Sequence, residues 1–306
     1  MTGSSETMTH PAAAAAGQRC PACLGTGRVA ANFVVDGRIP LYHCADCGLG
    51  ALQVDGADHE GFDEYWTEIN QRIYADPAVM KELTAKYEGY FARVKDEVPN
   101  RRFLDVGSGA GMSIGAAAML GFEATGIEPS ANAVALSRRQ FDVPVIQGLL
   151  QRNDALPRDY GMLALWDVIE HVVDPEDLVL ACQEHLAPGG VLLLETPDEG
   201  TLLRGILRGV GALNLPGINP RKSIYYRAHR YYFTRTAMAR LLERCGFSRI
   251  RFFGEHTMFE KELLKKRLYG GLPAWKAAIF RVAFAILKRL PPMANKMVVV
   301  AVKKPA

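Results

Sequence analysis

The stretch from Arg102 to Gly111 constrains the fold more than any other part of this chain. Arg102-Phe103-Leu104-Asp105-Val106 is a short, largely apolar run, the turn Gly107-Ser108-Gly109-Ala110-Gly111 follows, and a small-residue helical segment comes next. A strand that passes through a glycine turn into a helix opens a parallel βαβ unit. The alternation continues. Phe122 to Ile127 reads as a second strand ending at Glu128-Pro129-Ser130, where Ser130 caps the helix ANAVALSRRQ. Val143 to Ile146 is a third strand, and Tyr160 to Val168 a fourth that leads into Ile169-Glu170-His171. Asp174-Pro175 starts a helix through Leu186, Pro188-Gly189-Gly190 ends it, and VLLLET is the fifth strand. A later helix, TRTAMARLLERCG, feeds SRIRFFG, and KMVVVAV arrives last after a long detour. These elements predict an α/β, Rossmann-like, doubly wound sheet of seven strands, with a late hairpin partner.

Composition narrows the class. With 49% hydrophobic and 23% charged residues the chain is globular rather than disordered, collagenous or coiled-coil. No apolar run approaches the roughly 18 residues needed to cross a bilayer. Residues 1–17 lack the basic start and apolar core of a secretory signal and read as a disordered tail, so a cytoplasmic enzyme is expected. Charge is sharply divided. Residues 1–200 carry 14 Lys+Arg against 29 Asp+Glu, and residues 201–306 carry 22 against 4. The basic third attracts phosphate, an acidic substrate or an anionic membrane surface; alternatively, the two halves neutralise each other.

Four of the six cysteines form two C-x-x-C pairs, Cys20/Cys23 and Cys44/Cys47, with twenty residues between the pairs. That spacing suits a tetrahedral four-thiolate zinc site, which is closed and therefore structural. Gly48 permits a left-handed turn after the second pair, and Asp36-Gly37 marks a hairpin between the two. Residues 18–52 thus read as a zinc ribbon, with His43 a hairpin side chain rather than a ligand. Cys182 and Cys245 read as core thiols. From 53 to 98 the chain is helical, and Tyr65, Trp66, Tyr74, Tyr87, Tyr90 and Phe91 recur as packing residues or, alternatively, as a cover over a cofactor.

Glycines at 107, 109 and 111 let the backbone approach a ligand closely at a helix start. Met112 breaks the G-x-G-x-x-G pattern of nicotinamide and flavin folds, and there is no P-loop. Glu128, 21 residues beyond Gly107, stands where a carboxylate accepts both hydroxyls of a ribose.

FLDVGSGAG, GIEPS, LWDVIEHVVDP, LAPGGVLLLETPD and HRYYFT, in that order, resemble the class I S-adenosylmethionine-dependent methyltransferases over roughly residues 100–255. The ribbon resembles the N-terminal module of a subgroup associated with sugar, polysaccharide and natural-product pathways. The resemblance implies a methyltransferase domain over 99–306 whose final strand is antiparallel. It also implies that Asp105, Gly107, Ser108, Gly109 and Gly111 hold the methionine and adenosine moieties of the donor. Glu128 and Pro129 would lie at the ribose, Asp167 beside the donor, and Gln147, where relatives carry an acidic residue, at the adenine.

Methyl transfer from a sulfonium to an oxygen or carbon of high pKa calls for a base as well as alignment. His171, just past the fourth strand, and His229, in RAHRYYFT, are the two candidates. Asp167-x-x-Glu170-His171 is also similar to the E-x-x-E-H of quinone-pathway O-methyltransferases, where those side chains are associated with a divalent metal. Insertions near 200–232 and 258–292 would form a lid and a basic amphipathic stretch bearing Trp275, Ile279, Val282 and Ile286, which suits an anionic membrane or a lipid-linked acceptor. The reading is a methyltransferase for a small or carrier-linked metabolite. Its alternatives are a nucleic-acid- or protein-modifying enzyme that uses the ribbon for recognition, and a non-catalytic scaffold. The near-neutral ribbon and the intact donor motifs argue against these two.

Overall fold

A computed structural model describes residues 19–35, 39–53, 65–150, 156–212, 224–255 and 294–305. The expected N-terminal tail, the Asp36-Gly37 turn and the basic stretch containing Trp275 to Ile286 lie outside the described residues.

Seven strands form the principal sheet: β4 (Arg102–Val106), β5 (Glu123–Glu128), β6 (Val145–Gln147), β7 (Tyr160–Trp166), β8 (Leu186–Pro197), β10 (Phe247–Glu255) and β11 (Lys296–Lys303). Their spatial order is β6-β5-β4-β7-β8-β11-β10. The first five are mutually parallel, and β11 runs antiparallel between β8 and β10. The expected seven strands and the antiparallel last strand are both present. Strand order reverses between β4 and β7, and at such a switch point a crevice opens beyond the carboxyl ends.

Period-two alternation explains why the sheet is covered on both faces. Phe103, Met162, Ala164, Trp166, Leu193, Val298 and Val300 point to one side, where α2 (Pro77–Ala92), α3 (Met112–Met119) and α4 (Ala131–Gln140) supply Phe91, Ile114 and Val134. Leu104, Leu163, Leu165, Leu192, Leu194, Val299 and Ala301 point to the other, meeting Val179 and Cys182 of α5 (Pro175–His185) and Met238 and Leu241 of α7 (Arg235–Arg244). The aromatic residues of the 53–98 segment do pack: Phe91 wedges among Phe103, Phe122 and Trp166, at centroid distances of 5.1, 6.3 and 6.3 Å. The preceding helix, α1 (Glu68–Tyr74), is capped by Thr67.

One expectation at the sheet differs. Pro188-Gly189-Gly190 does not separate helix from strand; α5 passes directly into β8 at Leu186, whose backbone is already extended. Tyr160 pairs with Leu186 but Met162 with Val191, so the extra residues form a bulge. Gly190 is required there, since a Cβ would stand 2.8 Å from the carbonyl oxygen of Ala187.

A second, antiparallel sheet contains β1 (Arg28–Val35), β2 (Ile39–Cys44), β3 (Gly50–Leu52) and β9 (Tyr231–Tyr232). The first three are the expected ribbon; the fourth comes from the other part of the chain, 179 residues after Leu52. The ribbon's Cys20, Ala22, Cys44, Cys47 and Leu49 share a buried cluster with the sheet and α7. Within the expected 200–232 insertion stands α6 (Leu202–Ala212). Among the described residues, no helix is long and apolar enough to cross a membrane.

Phe91→Ala empties a fully buried site among three aromatic rings, and should cost about 3–5 kcal/mol of unfolding free energy in a urea titration.

Candidate active site

At the crevice, Gly107, Gly109 and Gly111 have φ of 72°, 51° and 87°, a region that side chains resist. A Cβ at Gly109 would press on the Trp66 ring at 2.9 Å, and one at Gly107 on Val168 at 2.6 Å, so the loop is walled by Trp66 and Val168. Glu128, buried at the end of β5, accepts from Gly109 N–H and from Ser130 N–H, both at 2.9 Å. Its carboxylate therefore ties the glycine loop to the start of α4. Pro129 lies between those two contacts, and Gln147 is exposed at the end of β6.

Asp105 is fully buried beneath the loop, and neither of its oxygens has a hydrogen-bond partner, although the Ser113 hydroxyl lies near enough to moderate its acidity. Burial pushes its pKa well above the carboxylate range, and the charge of Glu128 adds to that. The Ser108 hydroxyl is likewise buried and unpartnered. Such orphaned acceptors call for a ligand with its own donors. The amine and hydroxyls of S-adenosylmethionine supply these, and the side-chain-free loop leaves room for close approach, so the residues present fit that group.

A second network stands beside the loop. Asp167 has a left-handed backbone (φ 54°) and is ion-paired to Lys296, which also donates to Glu195 at 2.9 Å. Lys86 donates to Glu195 at 3.1 Å, and so does the Tyr90 hydroxyl. Burial alone would raise the pKa of Glu195, but Lys296 and Lys86 outweigh it and hold the group at about 2.

A third cluster assembles around the turn after β7. His171 and His229 meet edge to face at 4.6 Å, although 58 residues separate them. His171 Nδ1 lies 2.9 Å from the carbonyl oxygen of Ala228, which only accepts; Nδ1 therefore carries the hydrogen, and Nε2 the lone pair. His229 Nδ1 is sealed from solvent with no hydrogen-bond partner. Burial, then the neighbouring His171, Arg204 and Lys296, press its pKa well below that of an ordinary histidine. Glu170 is fully buried, accepts from the Thr196 hydroxyl at 3.0 Å, and has its pKa raised by burial and by Asp167. Ligand atoms of Glu170, His171 and His229 lie within 4.8 Å of one another, an arrangement able to hold a cation. Asp167, expected in that set, is engaged by Lys296 instead, and His229 takes the third position.

The four ribbon cysteines form a second such cluster. Sγ of Cys20 lies 3.6 Å from that of Cys47, and Cys23 3.5 Å from Cys44. Tetrahedral Zn–S bonds near 2.3 Å place sulfurs roughly 3.8 Å apart, so the set fits zinc with little movement. The hydrogen bond shared with Cys47 draws the pKa of Cys20 down to about 5. Gly48 turns left-handed as expected, with φ 74°. The matching position after the first pair, Leu24, does so without being glycine, at φ 63°. His43 is not a ligand; it meets Glu199 at 3.3 Å.

That buried Glu199 is a feature the sequence did not single out. It also accepts from Arg204 (2.8 Å), Arg208 (2.9 Å) and the Tyr225 hydroxyl (2.6 Å), which joins α6 to the ribbon.

Residues 75–251 match a family described as a methyltransferase domain. The chain belongs to the methyltransferase family. It is 30% identical over 136 residues to a ubiquinone biosynthesis O-methyltransferase of Xanthomonas campestris, covering 42% of this chain and 56% of that one. The mitochondrial ubiquinone biosynthesis O-methyltransferase of Schizosaccharomyces pombe is 28% identical over 111 residues, covering 34% and 40%. The methyltransferase thus spans about half the length of the known relatives it matches. Among solved structures, phosphoethanolamine N-methyltransferase 2 of Haemonchus contortus, in complex with S-adenosyl-L-methionine, superposes with a TM-score of 0.52. It is 17% identical, over 83% of this chain and 62% of that one. A SAM-dependent methyltransferase of Thermotoga maritima gives a TM-score of 0.50 at 18% identity, over 79% and 98%. These two likenesses bear on the fold.

Because Glu195 is held below its ordinary value near 4.5, its ion pairs stabilise the fold above that value, and the contribution is lost as pH falls toward 2. Glu195→Gln should flatten the loss of stability between pH 5 and 2, measured by urea midpoints across that range.

Proposed function

We propose that this methyltransferase moves the methyl group of S-adenosylmethionine to an oxygen of a small-molecule acceptor, with His229 as the base. The observation that carries this reading is the neutral, unpartnered Nδ1 of His229, enclosed beside His171. The names of the O-methyltransferase relatives support oxygen as the nucleophile. S-adenosylmethionine, when bound, supplies a methyl carbon on a sulfonium, open to displacement. Asp105 and the Gly107–Gly111 loop hold the methionine portion, Glu128 and Pro129 the ribose, and Gln147 borders the adenine. His229 Nδ1 would take the hydroxyl proton while the acceptor oxygen gains the methyl carbon and the carbon–sulfur bond breaks, with S-adenosylhomocysteine as the leaving group, and His171 fixes the orientation of that ring. Trp66 and Val168 keep water from the reacting atoms.

Cys20, Cys23, Cys44 and Cys47 hold one structural zinc ion in this proposal. Metal analysis should find one zinc per chain, and Cys44→Ser should abolish it and lower the melting temperature.

A divalent cation on Glu170, His171 and His229 is the competing reading, favoured by their proximity. Turnover by zinc-replete protein that neither needs nor gains from added magnesium or manganese supports the base. Turnover restored only by manganese, with binding lost in Glu170→Gln, supports the cation.

Glu128→Ala removes acceptors for two backbone N–H groups, and should weaken S-adenosylmethionine binding by at least about tenfold in calorimetry. His229→Ala should leave that binding intact while abolishing most turnover. A depressed histidine stays unprotonated as pH drops, so the rate should persist through the usual histidine range near pH 6.5 and fall only below it.

A further inference from the structure

We infer that the cysteine ribbon is a positioning element of the acceptor site: it clamps the strand that directly follows the His229 segment, rather than serving as a free module for recognising a macromolecule. The inference rests on the proposed role of His229.

Residues 229–232 are tied on two sides. Toward the ribbon, β9 completes the small sheet, with Gly50 opposite Tyr232 and Ala51 opposite Tyr231, and the Leu52 N–H donates to the carbonyl of Arg230 at 2.9 Å. Toward the crevice, the N–H groups of Arg230 and Tyr231 donate to the carbonyl of Glu170 at 2.7 and 3.1 Å. His229 immediately precedes this double tie, so the ribbon sets the separation between His229 and the Glu170-His171 turn. Four further contacts fasten the ribbon to the surroundings of β9 and to α7. The Thr234 hydroxyl donates to the carbonyl of Cys47 at 2.6 Å, directly after β9. Arg244 donates to the carbonyls of Pro21 and Ala22 at 2.9 and 3.0 Å, within the first cysteine pair. His43, next to Cys44, meets Glu199, which also holds Arg204 and Tyr225 near the His229 loop.

Burial points the same way. Cys20, Ala22, Cys44 and Cys47 are all buried against the principal domain, so the thiol end faces inward rather than toward a partner. The donor loop has its own anchors: Gly107 N–H on Ile127, Gly109 N–H on Glu128, and the Gln140 amide on the carbonyl of Ala110. Loosening the ribbon should therefore disturb the acceptor side and spare the donor side.

Gly50 offers the lever. A Cβ there would stand 3.1 Å from the Tyr232 Cβ, so Gly50→Val pries β3 from β9 without touching a cysteine. In the full chain, amide exchange over 226–233 should accelerate by about tenfold or more, while exchange over 104–113 changes by less than about twofold. The ring resonance of His229 should move, and S-adenosylmethionine affinity should stay within about twofold of wild type. Gly50→Ala and removal of the metal by a chelator should give the same pattern to different extents, and they replace Gly50→Val if that variant does not fold. Unchanged exchange over 226–233 with an unmoved His229 resonance overturns the inference, as does equal acceleration over 104–113. If His229→Ala keeps full turnover while this coupling is present, the base assignment fails and the clamp stands.

Discussion

The hinge of the structure is the Glu128 carboxylate. One oxygen holds the N–H of Gly109, the other the N–H of Ser130, so a single side chain at the end of β5 fixes both the loop after β4 and the first turn of α4. A buried carboxylate is costly unless its acceptors are filled, and backbone donors from two elements fill them here. The glycine-loop side of the crevice thereby keeps one shape, with the orphaned oxygens of Asp105 below it. Donor binding exploits a cradle that already exists.

The proposed acceptor side is built from parts that meet from distant points of the chain. The Glu170-His171 turn comes from the end of β7, His229 from the segment before β9, and the wall behind them from the ribbon and Glu199. Charges around this region are matched at short range. Lys296 and Lys86 face Glu195 and Asp167, and Arg204 and Arg208 face Glu199. Part of the imbalance between the acidic and basic portions of the chain is spent in such pairs, Glu199 with its near neighbours in sequence and Lys296 with carboxylates more than 100 residues away.

Local signals were legible in proportion to how local their physics is. The glycine turn, the Ser130, Asp174 and Thr234 caps and the cysteine spacing each act within a few residues, and each stands where the sequence put it. Pro188-Gly189-Gly190 misled because the same residues that end a helix also build a bulge, and only the pairing of β7 with β8 decides between the two. Asp167 looked like a member of the Glu170-His171 set, but its partner is Lys296, 129 residues away at the mouth of the last strand. Nothing in a linear reading brings His229 to His171, or gives the ribbon its fourth strand, because both follow from tertiary pairing. Glu199 carried no motif; its position one residue after Asp198 became meaningful only when four donors converged on it.

The place of β11 has an implication for how the molecule is made. Lys296–Lys303 inserts between β8 and β10, pairing with both. Until these residues have been synthesised, β8 presents an open edge and β10 has no neighbour in the sheet. Both would be exposed on the nascent polypeptide, whose ribbon can by then already pair with β9. Assembly on the ribosome should accordingly stall at an incomplete sheet and finish in one late step, an interval in which strand edges are vulnerable to pairing with other chains.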